Sequence, residues 1–284
     1  MKRTIEKVLA FLPLFLLMGG SYLIPILSNI VNSLRNDVGD YVSFRNYTDV
    51  WNSYYFLDSF WFTLKIALIT TIVSTLLAII VAMALRETFF GKNIVLFLFQ
   101  YNLCIPHMVV AMMMIMLLSQ TGVVSMLSHM LGFTEGAESF PWLVRDSKGI
   151  GIILTFVWKY FPYIGLSALG ILQGASLEYE HQAAVLGVGK YKRFFHVILP
   201  NILPAISVAM IMVFTAAFGE YEIPALLGSS AHRSLSMMIY MKFCDLSTRN
   251  VPQAYAMMSM MVIALMAVIV TFYGITAKKR GDDA

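Results

Sequence analysis

Leu177–Pro204, reading LEYEHQAAVLGVGKYKRFFHVILPNILP, lies between two long apolar runs and decides how the rest of the chain is read. The segment is amphipathic, basic in its second half, and stopped by Pro200 and Pro204. Glu180–Leu186 and Tyr191–Leu199 each have the composition of a short helix, and Gly187 and Gly189 break the pattern between them. Two helices in an aqueous loop of a membrane chain predict a docking surface.

Working outward, the chain is 59% hydrophobic and only 13% charged, with a mean hydropathy of +0.75. A soluble domain does not carry that balance. Its apolar residues fall in runs of about 20, the length that crosses ~30 Å of hydrocarbon. Six runs are predicted to span: about 8–31, 60–85, 94–118, 150–172, 205–217 and 254–276. The first could be mistaken for a signal peptide, but it is too long and lacks a small-residue cleavage site. Basic residues are densest at the termini (Lys2, Arg3, Lys7, Lys278, Lys279, Arg280), at Arg86 and Lys92, and at Lys190, Lys192 and Arg193. That bias places both termini and the 177–204 loop in the cytoplasm, and it accounts for the pI of about 9.0 without nucleic acid.

Few residues in the spans carry chemistry. Asn102 and His107 flank Pro106 in the third span, Lys159 lies in the fourth near Tyr160 and Tyr163, and Glu220, Tyr221 and Glu222 close the fifth. An unpaired ammonium at mid-membrane costs at least ~2.5 kcal/mol, so Lys159 is expected to face the bundle interior. It has either a solute or another helix's carbonyl for a partner. Glu220 and Glu222 either face a watery vestibule or sit solvated past the end of the span. As solute contacts, Lys159 and Glu220 argue for opposite charges, and a zwitterion suits both. No second His or Cys stands at metal spacing from His107, so no metal site is expected. Gly189-Lys190-Tyr191 lacks the first glycine and the hydroxyl of a phosphate loop, so no ATP site is expected, and no catalytic motif appears. Asn46-Tyr47-Thr48 matches a glycosylation sequon by pattern only.

Gln182-Ala183-Ala184, a turn near Gly187-Val188-Gly189, and Ile198-Leu199-Pro200 resemble the Glu-Ala-Ala loop of permease subunits of binding-protein-dependent type I ABC importers. Here glutamine stands for the family's glutamate and Val188 occupies its glycine position. Phe44-Arg45-Asn46-Tyr47 leading into Phe62-Thr63-Leu64, Pro106 with Gly122, and Trp158–Pro162 extend the resemblance over most of the chain. The segment FGEYEIPALLG, Phe218–Gly228, looks most like the subgroup moving polyamines, ferric iron, thiamine or aminophosphonates, with sugar permeases as the alternative.

The resemblance implies an all-α membrane protein of six transmembrane helices with cytoplasmic coupling helices. It divides the chain into an N-terminal helix and first outer loop (1–59) and a five-helix core (60–284). It further implies a bacterial inner-membrane location, a second permease subunit, two cytoplasmic ATPases that hold the ATP and magnesium, and an extracytoplasmic solute-binding protein. No cofactor is expected in this chain. ATPase coupling falls to Glu180, Gln182, Ala183, Ala184, Gly187, Gly189, Lys190, Arg193, Leu199 and Pro200. The translocation path is expected to use Asn102, His107, Lys159, Tyr163, Glu220, Tyr221 and Glu222, and contact with the binding protein Pro224, Leu227 and Gly228. A secondary transporter would show inverted repeats with ion ligands, and a membrane enzyme a convergent catalytic set; neither is evident.

Overall fold

The computed structural model describes residues 2–36, 39–245 and 250–282. Side chains are described over 11–35, 42–174, 178–245 and 251–274, so the basic side chains at both termini lie outside the described residues. Nearly everything described is helical. Six helices are long and apolar enough to cross a membrane, as the hydropathy runs predict.

Contacts divide the described residues into two compact units, one drawn from both ends of the chain and the other from Asp58–Met237. In the first, α1 (Lys2–Ser33) packs on α13 (Asn250–Asp282), and α13 packs on α2 (Arg45–Trp51). The sequence-based division at residue 59 placed the sixth span with the core instead. A two-strand hairpin, β1 (Arg35–Asn36) with β2 (Gly39–Val42), follows α1. Asn46 is buried, and its amide donates to the carbonyls of Ser33 and Arg35 at 2.8 Å each. The sequon asparagine is therefore a structural clamp. Along α1, Phe15, Leu17 and Ile24 are exposed, as suits a helix whose solvent is lipid.

The second unit holds most of α3 (Tyr54–Leu85), then α4 (Lys92–Cys104), α5 (His107–Leu118), α6 (Val123–Met130) and α7 (Ile150–Leu172). It continues with α8 (Ala175–Val185), α9 (Lys190–Arg193), α10 (Leu199–Gly219), α11 (Glu222–Leu227) and the start of α12 (Leu235–Phe243). Its centre is the contact of α7 with α10. Ile202, Ile206, Ala209 and Val213 recur at helical spacing on α10 and are buried, as are Ile152, Phe156, Ile164 and Ala168 on α7. The start of α7 is fixed by Asp146, whose carboxylate accepts the amides of Lys148, Ile150 and Gly151 at 2.8–3.3 Å. Gly151 is obligatory, because a Cβ there would stand 1.9 Å from the Leu143 carbonyl oxygen. Ahead of α12, His232 Nδ1 meets the Asp58 carboxylate at 2.9 Å and its ring stacks on Phe62.

Two spans depart from expectation, both at prolines. The expected third span, 94–118, is broken at Ile105-Pro106 into α4 and α5, and by length and hydropathy the candidate span is His107–Met130. The fifth was expected to begin near Ala205, after a separate short helix. Instead one helical run extends from Lys190 to Gly219. Between α9 and α10, Phe194–Ile198 forms a π-turn in which the Leu199 amide reaches the Phe194 carbonyl, five residues back. That wider turn lets the helix continue into Pro200, which has no N–H to offer.

Candidate functional site

The 175–204 segment is built around one turn. α8 ends at Leu186, and Gly187 follows with φ +77°, a conformation glycine adopts without strain. The Gly187 amide donates to the Ala184 carbonyl and the Val188 amide to the Ala183 carbonyl, both at 3.0 Å. This is a Schellman ending with an apolar residue after the glycine. Val188 therefore causes no strain at the position where the family keeps glycine, because the left-handed residue here is Gly187. Gly189 has extended backbone and opens α9.

Electrostatics lock the turn to the bundle. Glu180 on α8 forms a two-pronged ion pair with Arg86, just past the end of α3, whose Nη2 reaches Oε1 at 3.2 Å and whose Nη1 bonds Oε2. Arg193 Nη1 approaches the same carboxylate at 4.0 Å. All three side chains are largely buried, at 15–17% exposure. Glu180 and Arg193 were expected to couple to the ATPase, and here they also face each other within this chain. Gln182, Ala184, Lys190 and Pro200 are exposed, while Ala183 and Leu199 are half-buried. Val185, Leu186 and Tyr191 stand out at 88%, 82% and 86% exposure, around an open depression of about 510 Å³ lined by residues 186–192. The sequence reasoning missed these three and Arg86. The signal for Arg86 was an arginine closing an apolar run, on the side where the loop was expected.

The spans hold a second arrangement, in which α4, α5 and α7 exchange hydrogen bonds around two prolines. A proline leaves the carbonyl four residues earlier without its helical donor. Pro106 thus denies the Asn102 carbonyl its helical donor, and beside the Ile105 amide at 3.3 Å it accepts Lys159 Nζ of α7 at 2.8 Å. The same ammonium reaches the carbonyls of Ile105 at 2.5 Å and Leu103 at 3.4 Å. Pro162 in turn frees the carbonyl of Trp158, and the Asn102 side-chain amide donates to it at 2.7 Å. The α4–α5 break and the proline within α7 are each served by a side chain of the other. Lys159 and Asn102, expected on the path, are both buried here and serve the backbone. Tyr163 also stands apart from the path set, since its hydroxyl bonds Met212 Sδ on α10 at 2.8 Å.

His107, Glu220 and Glu222 do come together, although 113 residues separate the first two. His107 opens α5, Glu220 lies in the extended link after α10, and Glu222 opens α11. His107 Nδ1 is 3.6 Å from Glu220 Oε2, and the other ring nitrogen, Nε2, is 3.5 Å from the Tyr160 hydroxyl. Glu220 Oε1 accepts the Glu222 amide at 3.1 Å, which aims its carboxylate. One ligating atom from each of the three residues lies within 4.8 Å of the other two. Glu220 is only 12% exposed, so it is not a solvated tail beyond the span. Tyr221 is half-buried between them. The expectation of no metal-ligand cluster, formed from sequence spacing, did not anticipate that the α10–α11 link returns to α5.

Pro224, Leu227 and Gly228 were expected to reach outward to a binding protein. α11 instead folds back on α5 and α7, burying Pro224 and Leu227, the latter completely. The Leu227 carbonyl accepts the Arg145 amide at 2.8 Å, and a Cβ on Gly228 would meet the Pro224 carbonyl at 2.3 Å. These residues are core.

Six candidate spans, helices cross-bonded at their prolines and an exposed two-helix loop define a polytopic helical membrane protein. The chain belongs to the family of binding-protein-dependent transport system inner membrane components, whose model matches residues 74–280. That family is one of transport permeases, not of enzymes. Among its relatives, the probable ABC transporter permease y4oQ of Sinorhizobium fredii is 26% identical over 64% of this chain and 58% of its own length. The maltodextrin permease MalC of Streptococcus pneumoniae is 24% identical over 86% of this chain and 60% of its own. For the sn-glycerol-3-phosphate permease UgpA of Salmonella typhi the values are 24%, 84% and 82%. The chain thus spans less than two thirds of the length of the first two. A bacterial alginate ABC transporter, crystallised with an alginate-loaded periplasmic protein, shares the fold with a TM-score of 0.78 over 97% of this chain and 94% of its own, at 16% identity.

Proposed function

We propose that this chain is a membrane subunit of an ATP-driven importer for carbohydrate-type solutes, including glycosides and polyol phosphates. The observation that carries the transport reading is the 175–204 loop, with three bare apolar side chains on a turn held rigid by a buried ion pair. A pre-organised apolar knob gives up little conformational entropy when it docks. Its partners would be two cytoplasmic ATPases, which bind the ATP and magnesium, a second and different permease chain, and an extracytoplasmic solute-binding protein. Both termini would be cytoplasmic. Nucleotide-driven closure of the ATPases would move α8 and α9 and switch the bundle from inward- to outward-open, through contacts that differ between the two states.

The solute class rests on the relatives. Maltodextrin and sn-glycerol-3-phosphate permeases are among them, as is a sulfoquinovosyl glycerol permease. They favour the sugar-type alternative over the polyamine-like solute that Phe218–Gly228 suggested. Commitment of Lys159 to backbone carbonyls supports the change, since the paired charges that a zwitterion required are no longer both free. The test is thermal-shift screening of the cognate binding protein with oligosaccharides, glycosides, polyol phosphates and polyamines. Stabilisation by one of the first three is expected; stabilisation by a diamine alone contradicts the assignment.

A further inference from the structure

The geometry points to a divalent transition-metal site formed by His107, Glu220 and Glu222, joining the start of α5 to the α10–α11 link. The three residues offer one imidazole and two carboxylates, with their ligating atoms within 4.8 Å of one another. Ligands around one ion at 2.0–2.2 Å lie about 3.3 Å apart. His107 Nδ1 and Glu220 Oε2, at 3.6 Å, are already near that spacing, and the Glu222 carboxylate lies within 4.8 Å of both.

A second observation concerns charge. Two carboxylates at the end of a span call for compensation, yet among the described residues Glu220 pairs with His107 alone and Glu222 with no basic group. Lys159, the buried cation of α7, is spent on three carbonyls. A dication neutralises the two carboxylates while the imidazole stays neutral. The surroundings suit a ligating histidine as well. Nδ1 points at the carboxylates while Nε2 faces the Tyr160 hydroxyl at 3.5 Å, an outer contact that accepts the Nε2 proton when Nδ1 ligates. The Glu222 amide on Glu220 Oε1 likewise holds one carboxylate oxygen back and presents the other. A mixed nitrogen and oxygen set favours Zn²⁺, Co²⁺ or Mn²⁺ over Mg²⁺, which prefers oxygen and water. Occupancy would pin the first turn of α5 to the end of α10 and so restrain the broken span. The site does not depend on which solute is carried.

The test uses the full chain in nanodiscs, purified with a tag free of histidine, and titrates Co²⁺ by visible absorption with Zn²⁺ as competitor. One Co²⁺ per chain is expected, displaced by Zn²⁺ and not by excess Mg²⁺ or putrescine. Glu222→Gln, which retains shape and leaves the Glu220 cap in place, should weaken binding at least tenfold, and His107→Ala should do the same. Circular dichroism confirms that each variant keeps its helix content. Absence of Co²⁺ bands in the wild-type chain, equal binding by folded variants, or displacement by putrescine would each overturn the site.

Discussion

Pro106 and Pro162 each remove one backbone donor, and the two carbonyls left over are those of Asn102 and Trp158. In hydrocarbon a carbonyl that lacks its helical donor is expensive, and here Lys159 and the Asn102 amide take the donor's place. Asn102→Leu should therefore destabilise the protein by about 1–3 kcal/mol, the usual penalty for a buried unpaired group. Adding Pro162→Ala supplies a new amide to the Trp158 carbonyl and should recover most of the loss, as thermal unfolding in detergent will show. If the double variant is no more stable than the single, the exchange does not operate. Gly187 poses a comparable question at φ +77°. Gly187→Ala should cost about 1–2 kcal/mol of strain in the docked turn and weaken ATPase binding several-fold. Gly189→Ala, at φ −63° with open space around it, should leave binding unchanged.

At the scale of elements, α8 is a lever only if it is tied to the spans. The tie is the Glu180 carboxylate between Arg86 and Arg193. Glu180→Arg and Arg86→Glu should each loosen ATPase docking, and the swapped pair should restore much of it. A double-mutant cycle on the docking affinity should give a coupling of about 0.5–3 kcal/mol. Strict additivity would mean that the two residues act apart. The loop's first helix and turn were legible in the sequence, because a short helical run followed by glycine and basic residues has few alternative structures, whereas its second helix runs on into α10. The ion pair was not legible, since Arg86 and Glu180 are 94 residues apart and only the folded bundle makes them neighbours. Prolines misled in both directions. Pro200 was expected to stop a helix that a π-turn carries through it, whereas Pro106, expected within a single span, divides it. Whether a proline breaks a membrane helix depends on what else can serve the freed carbonyls, and that information lies outside the local sequence.

Across the whole molecule, hydropathy foretold six spans, and the start and end of α7 agree with the expected 150–172. Buried polar residues were harder to place. The same chemistry that marks Lys159 or Glu220 as functional also serves backbone repair, and only Glu220 emerged beside other ionisable groups. α11 carries the same lesson, since EIPALL reads as an exposed tip by its position after a span and packs as core. On the proposed function, α8 to α10 transmit ATP-driven motion to the bundle. The most direct test is Ala184→Trp, an exposed position on α8 where a bulky side chain leaves the span untouched. The variant should be assembled with its second permease, ATPases and binding protein in proteoliposomes. The account predicts normal membrane insertion, loss of ATPase copurification, and loss of ATP-dependent solute uptake. Full ATPase retention together with wild-type uptake would contradict it.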